Sequence, residues 1–269
     1  MASDTEYVFT RDFLDNNRIN LMHFLWTKLF GFAIHPKIPT EATNLRVADV
    51  GTGTGIWLLD VQGSLKEAQL DGFDISFDAA PPSETLPTGV TFRHWDVRDD
   101  VPADLEGAYD IINVRFFAFV LLNDEIPRVV AKLFTLLKPG GYLQWGEPDL
   151  ESLRFDRTKP ESKTDNLREL FSLLSVQDPR LKPTWINHLD EIFVSNGFVE
   201  VERVTRDAPP HLAFTFHEAG LMIHEQIARK TKNERMAGEL KRLLPAAVEE
   251  TRLGAYITSL RYLVVGKKP

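Results

Sequence analysis

The sequence predicts an α/β fold built on a doubly wound parallel sheet. Three observations predict it. A short apolar strand at Arg46–Val50 (RVADV) breaks into the glycine loop GTGTG. Apolar segments of strand length then alternate with helix-like ones for about a hundred residues, and parallel neighbours need such crossover connections. Finally, no Pro/Gly/Ser-rich or strongly charged stretch divides the 269 residues, so the chain reads as one domain with decorations.

The elements follow in order. Between Phe13 and Phe32, Leu21, Leu25 and Leu29 recur at helical spacing beside Met22, Phe24, Trp26 and Phe30, which reads as a helix packed on the core. After the glycine loop, IWLLDV continues as a helix. The second strand is placed at Ala68 to Ile75, the third at Val90 to His94, the fourth at Tyr109 to Val114 and the fifth at Tyr142 to Gly146. From about Asp124 to Leu137, the residues Ile126, Val129, Val130, Leu133 and Leu137 share one helix face, and Lys138-Pro139-Gly140-Gly141 ends it. A polar insertion from about Leu150 to Pro183 precedes a helix that carries Trp185, Ile186, Leu189, Ile192 and Phe193. A strand at Val199 to Val204, helical segments from about Thr215 to Arg252 and a last strand at Ile257 to Val265 complete a seven-stranded reading.

Composition narrows the function. Thirty-one basic against thirty-nine acidic residues leave a formal charge of -8, the wrong sign for tracking phosphates, and the densest basic run, Arg229 to Lys232, reads as a solvated helix face. Nucleic acid is therefore not an expected partner. Without cysteine there are no disulfides or thiolate metal sites, and no metal site is expected. The start MASDTEYVF lacks the apolar core of a secretory signal, and the longest apolar runs are far too short to span a bilayer, so a cytoplasmic location away from membranes is expected.

The glycine loop carries the chemistry. Gly51, Gly53 and Gly55 form G-x-G-x-G where a backbone turns sharply and lies against a ligand. Ile56 replaces the third glycine of a dinucleotide loop, and no Gly-Lys-Ser/Thr of a P-loop follows. No lysine or arginine occurs between Val47 and Leu65, while Asp49 stands just before the loop, which suits a ligand bearing a cation better than a phosphate. Asp74 closes the second strand about twenty residues on, where a carboxylate can accept from a ribose diol. Asp96 follows the third strand, placed to accept from an adenine amino group.

In this order and spacing, VADVGTGTGIW, GFDIS, HWDVRDD, YDIINVRFFAF and LKPGGYLQWGE resemble the successive motifs of class I S-adenosylmethionine (SAM) methyltransferases, over roughly residues 46 to 147. With its start, YVFTRDFLDNNRINLMHFLW, the chain is most similar to the fungal LaeA-like group, which includes secondary-metabolite enzymes of the gliotoxin N-methyltransferase kind. The resemblance implies a Rossmann-like sheet and SAM as cofactor, with contacts from Asp49, Gly51, Thr52, Gly53, Gly55, Asp74, Ile75, Asp96, Val97 and Asn113. It implies an N-terminal helical lid over residues 1–40, with Tyr7, Arg11, Arg18 and His23 as lid candidates, on a SAM-binding domain of residues 41–269 with helical insertions at about 150–183 and 210–253. Tyr7 and Arg18 are expected to touch the cofactor, and Arg115, just past the fourth strand and near where the family places the methionine part of the cofactor and the transferred methyl, is a candidate catalytic residue.

Methyl transfer asks mainly for alignment and a dry pocket. Where the acceptor must lose a proton, His23 and Glu147 are the candidate bases, Glu147 because it ends the fifth strand on the ligand side of such a sheet. The expected activity is methylation of N or O on a small molecule, by a monomer or homodimer. The alternatives are a LaeA-like regulatory role on the same fold and a SAM pocket repurposed for other chemistry.

Overall fold

The computed structural model describes residues 11–175, 180 and 182–269, and of 174 and 175 the backbone alone. Nine strands follow in chain order: β1 (Arg46–Val50), β2 (Gln69–Asp74), β3 (Val90–His94), β4 (Tyr109–Arg115), β5 (Leu137–Pro148), β6 (Arg154–Arg157), β7 (Val199–Asp207), β8 (Ala255–Thr258) and β9 (Leu260–Lys267). Seven of them form one sheet in the order β3-β2-β1-β4-β5-β9-β7. β1 to β5 run parallel, and β9 slots in antiparallel to both β5 and β7. Val47, Ala48, Asp49 and Val50 are all buried along β1, as a central strand covered on both faces requires.

The covering helices are α1 (Phe13–Phe30), α2 (Ile56–Gln62), α3 (Ile126–Leu136), α4 (Asp165–Ser175), α5 (Leu189–Ser195), α6 (Pro210–Lys230) and α7 (Glu234–Arg252). On one face Val129, Val130 and Leu133 of α3 and Phe193 of α5 pack on Ile112, Val114, Leu143 and Trp145. On the other, Trp57, Leu58 and Val61 of α2 cover Val47, Ile111 and Tyr142. α1 starts under the Asp12 side chain, which accepts from the Leu14 and Asp15 amides, and stops at Gly31 with φ 85°. It buries Leu25, Trp26 and Phe30, each worth roughly 1.5–3 kcal/mol. Trp26 lies flat enough on β5 that a Cβ at Gly146 would come within 2.6 Å of its ring.

Three expectations are corrected. The last apolar run is not one strand: it breaks at Ser259, so β8 pairs with β6 in a separate two-stranded sheet while β9 enters the main one. Lys138 to Gly141 does not lie between helix and strand but belongs to a long β5, where Lys138 reaches the Asp110 carboxylate at 2.7 Å and the register to β4 shifts. The stretch after β5 is not merely polar. Its β6 and α4 join α6, α7 and β8 around Leu167, Leu170, Leu240, Leu243 and Ile257, so the two insertions form a single cap with its own core.

Candidate functional site

Strand order reverses at β1, with β2 on one side and β4 on the other, and ligands of open α/β sheets sit in the crevice such a reversal opens beyond the strands' carboxyl ends. A cavity of about 840 Å³ lies there and continues under the cap, a size ordinary for small-molecule sites. Gly51 and Gly53, φ 72° and 55°, give it a wall of bare backbone. A Cβ on Gly51 would stand 2.3 Å from the Phe117 ring, whereas at Gly53 nothing but Ile19 comes within 4 Å. Asp74 holds the loop in place: its Oδ2 accepts from the Gly53 amide at 2.9 Å and its Oδ1 from the Ile75 amide at 2.8 Å. Burial pushes its carboxyl above the usual range. Asp96 accepts from the Arg98 amide with Oδ1 and, like Ile75 and Val97, faces the cavity.

Behind the glycine loop a small pocket joins Asp49, Thr52, His23 and Arg115. Asp49 accepts from Asn113 Nδ2 at 2.7 Å and Thr52 Oγ1 at 2.8 Å, and burial still pushes it up to about 6. Asn113 in turn accepts from Gln144 Nε2, whose Oε1 takes the His35 amide, so the network ties the segment after α1 to the sheet. His23 is 1% exposed. Its Nδ1 accepts from Arg115 Nη2 at 2.7 Å, which leaves Nε2–H to donate to Asp60 at 3.1 Å. Desolvation, with the Arg115 charge second, holds this imidazole down at about 4. Arg115 Nε and Nη1 are buried with no hydrogen-bond partner among the described residues, an arrangement that costs free energy unless a ligand supplies acceptors.

The other arm of the cavity is built by the cap. Phe155, Phe171, Phe216, Ile223 and Ile257 make it apolar. Its polar points include Arg168, Lys182, His217, His224, Thr258 and Arg261. His217 is saturated, since Nδ1 accepts from the Ile257 amide and Nε2–H donates to Thr251. His224 donates Nδ1–H to the Gly220 carbonyl, so the lone pair of its buried Nε2 has no partner, and burial holds the ring down at about 4.

Of the residues singled out from sequence, Arg11, Arg18, Gly51, Gly53, Asp74, Ile75, Asp96, Val97 and Arg115 meet at the main cavity, and Asp49, Thr52 and His23 at the pocket behind it. Gly55, Asn113 and Glu147 line neither. Gly55 begins α2 against Phe92. Glu147 is fully buried: its Oε1 accepts from the Phe117 amide and Trp145 Nε1, and its Oε2 from the Ala118 amide. It fixes the β4 loop and does not line the arm under the cap; nor does His23, both of whose nitrogens are taken. Tyr7 lies outside the described residues. Sequence reasoning missed Phe171, Phe216 and Arg261, which come from segments of ordinary composition. The one available signal was the face Phe216, Gly220, Ile223, His224 along a single helix.

Residues 25–226 match the family described as Methyltransferase domain. The methyltransferase grgD of a Penicillium species is 33% identical over 147 residues, 52% of this chain and 49% of that protein. The N-methyltransferase gliN of Aspergillus fumigatus is 29% identical over 158 residues, 58% of this chain and 55% of that one. The chain thus spans about half the length of the curated relatives it matches. Among solved structures, Haemonchus contortus phosphoethanolamine N-methyltransferase 2 in complex with S-adenosyl-L-methionine superposes with TM-score 0.51 at 17% identity, covering 96% of this chain and 60% of that one, a likeness of fold.

Proposed function

The chain belongs to the methyltransferase domain family, and from that premise we propose that it moves a methyl group from SAM to a nitrogen or oxygen of a small molecule. One observation carries the proposal: a single cavity runs from the bare glycine loop to an apolar arm, so donor and acceptor can meet away from water. The residues present fit SAM. Its amino-acid tail is a zwitterion, and the pocket behind the loop offers a matching pair, the unpaired N–H groups of Arg115 for a carboxylate and the Asp49 carboxyl for an ammonium. Gly51 and Gly53 leave room for the ligand, and Asp74 and Asp96 offer lone pairs to the ribose and the adenine.

When bound, SAM would supply a methyl group already activated on a sulfonium. The protein's part is to hold, align and dry the reactants. His23 orients Arg115, Glu147 orients the Phe117 loop, and α1 covers the loop through Ile19 and Met22. At neutral pH His224 Nε2 accepts a hydrogen bond from the acceptor molecule rather than its proton, because burial keeps the ring neutral.

Calorimetry with S-adenosylhomocysteine and with 5′-methylthioadenosine, which lacks the amino-acid tail, tests the reading. Both should bind, and Arg115→Met should weaken the first at least tenfold while sparing the second. Absence of heat and of thermal protection with either ligand removes the proposal.

A further inference from the structure

Among the described residues Arg261 is a buried cation that forms no ion pair. Only 5% exposed, it stacks its guanidinium 3.7 Å over the Phe216 ring, and among the described residues its one hydrogen bond runs from Nη1 to the Ser259 carbonyl. No carboxylate of the described residues pairs with it. Asp207, the nearest acid to bear on its charge, is held by two bonds from Arg154 Nη2. The acids on the cavity wall have partners other than Arg261, Asp15 Oδ1 held by Arg18 while its Oδ2 is buried with no hydrogen-bond partner among the described residues, Glu151 by Asn187, Asp74 by backbone amides and Asp96 by the Arg98 amide. Across the strand pair stands Arg206, whose guanidinium turns to the Phe30 ring and offers no counter-charge.

Removing a guanidinium from water without a charged partner is costly. A shape-matched hydrophobic side chain would avoid that cost, so the charge is of use only when something negative arrives. The break at Ser259 lets Arg261 face the cavity, and the surfaces beside it are Phe216, Ile257 and, along α6, Gly220 and Ile223. Gly220 leaves the middle of that helix face flat, with Phe171 4.0 Å from where a Cβ would sit. Stacked on an aromatic face, the guanidinium is held in one plane, ready for a two-pronged grip on a carboxylate.

We propose that the acceptor arm takes a largely apolar molecule bearing a carboxylate, which Arg261 holds while the hydrocarbon or aromatic body lies along α6. This rests on the reading of the cavity as a methyltransferase site and names the acceptor's class.

The test uses the full chain, saturated with S-adenosylhomocysteine, and two probes, 4-phenylbutyrate and the neutral 4-phenylbutyramide, titrated by calorimetry or ligand-observed NMR. Wild type should prefer the carboxylate at least tenfold, Arg261→Met should erase the preference, and Arg261→Lys should keep part of it. Without a probe, Arg261→Met should melt no lower than wild type, because a burdened charge has been replaced by an apolar stem. Equal affinity for the two probes in wild type overturns the inference, as does a preference that survives in Arg261→Met. A large drop in melting temperature for both variants together with no wild-type preference assigns Arg261 to the fold alone. Failure of S-adenosylhomocysteine to bind while the carboxylate preference persists discards the methyltransferase reading and leaves the anion site standing.

Discussion

At the scale of single residues, contact geometry at the glycine loop makes a quantitative demand. Gly51 adopts φ 72°, and a Cβ there meets the Phe117 ring at 2.3 Å. Gly51→Ala should therefore cost about 1–3 kcal/mol by overpacking, in addition to the strain of a positive φ. Against a Phe117→Ala background much of the overpacking disappears, so the pair should be clearly non-additive in urea unfolding. Additive costs would mean that Phe117 does not seat against the loop. These residues were legible because the distance from a glycine loop to the next strand end is fixed by the length of a strand–helix–strand unit. Asp74 and Asp96 could thus be placed by counting. Glu147 and Asn113 could not, since sequence position puts a residue at a strand end without saying which neighbours will take its oxygens. The buried amides of Phe117 and Ala118 claimed the one, and Asp49 with Gln144 the other.

At the scale of elements, α1 is the piece whose stability bears most on the site. Asp12 caps it through Oδ1, bonded to Leu14 and Asp15 amides at 2.9 and 3.1 Å, and reaches Arg229 at the end of α6 with Oδ2. Asp12→Ala should loosen the first turn by about 1 kcal/mol. Amide hydrogen exchange at residues 14–18 should then speed up several-fold while the β4 and β5 amides keep their wild-type rates. Unchanged exchange in α1 would show that packing alone holds the helix. Helical periodicity revealed α1 and α3, and apolar runs revealed β1 to β4, because each buries a regular face. The same signal misled at the end of the chain. In ITSLRYLVV a stretch of strand-forming residues, read as one strand, hides the turn at Ser259, where the Leu260 amide donates to Ser152 and the Leu260 carbonyl accepts from the Asp149 amide. Those partners lie over a hundred positions away, and no local pattern encodes them. The cap was invisible for the same reason: Leu167 on α4 and Leu243 on α7 become one core only after the chain has folded back on itself.

For the whole molecule, buried titratable groups set the pH dependence of stability. His23, His217 and His224 are held near 4 by burial, against an ordinary value of 6.5. Each stabilises fully above pH 6.5 and ceases to as pH falls toward 4, because the unfolded chain takes up the proton first. Asp49 and Glu147, pushed up to about 6 and about 8, act oppositely: their contribution is complete below their ordinary values and is lost as pH rises through the raised ones. Among the groups shifted furthest, three imidazoles outweigh two acids on the acid side, and above pH 6.5 Glu147 dominates. The melting temperature should therefore climb from pH 4, peak between about pH 6 and 7 and decline toward pH 8, each net proton changing the slope by about 1.4 kcal/mol per pH unit. His224→Phe should flatten the acid limb; an unaltered limb would show that this ring is charged in the folded protein.

On the function proposed above, the glycine-loop arm and the cap arm of one cavity serve a single methyl transfer. Its most direct measurement supplies SAM labelled in the methyl group, together with a small-molecule extract of a metabolite-producing fungus, and follows the label into solvent-extractable products. Wild-type protein should yield a product heavier by one methyl group, and Asp74→Ala, which frees the glycine loop, should yield at least tenfold less. Label that stays with SAM in every fraction, or a product formed equally well without Asp74, contradicts the claim.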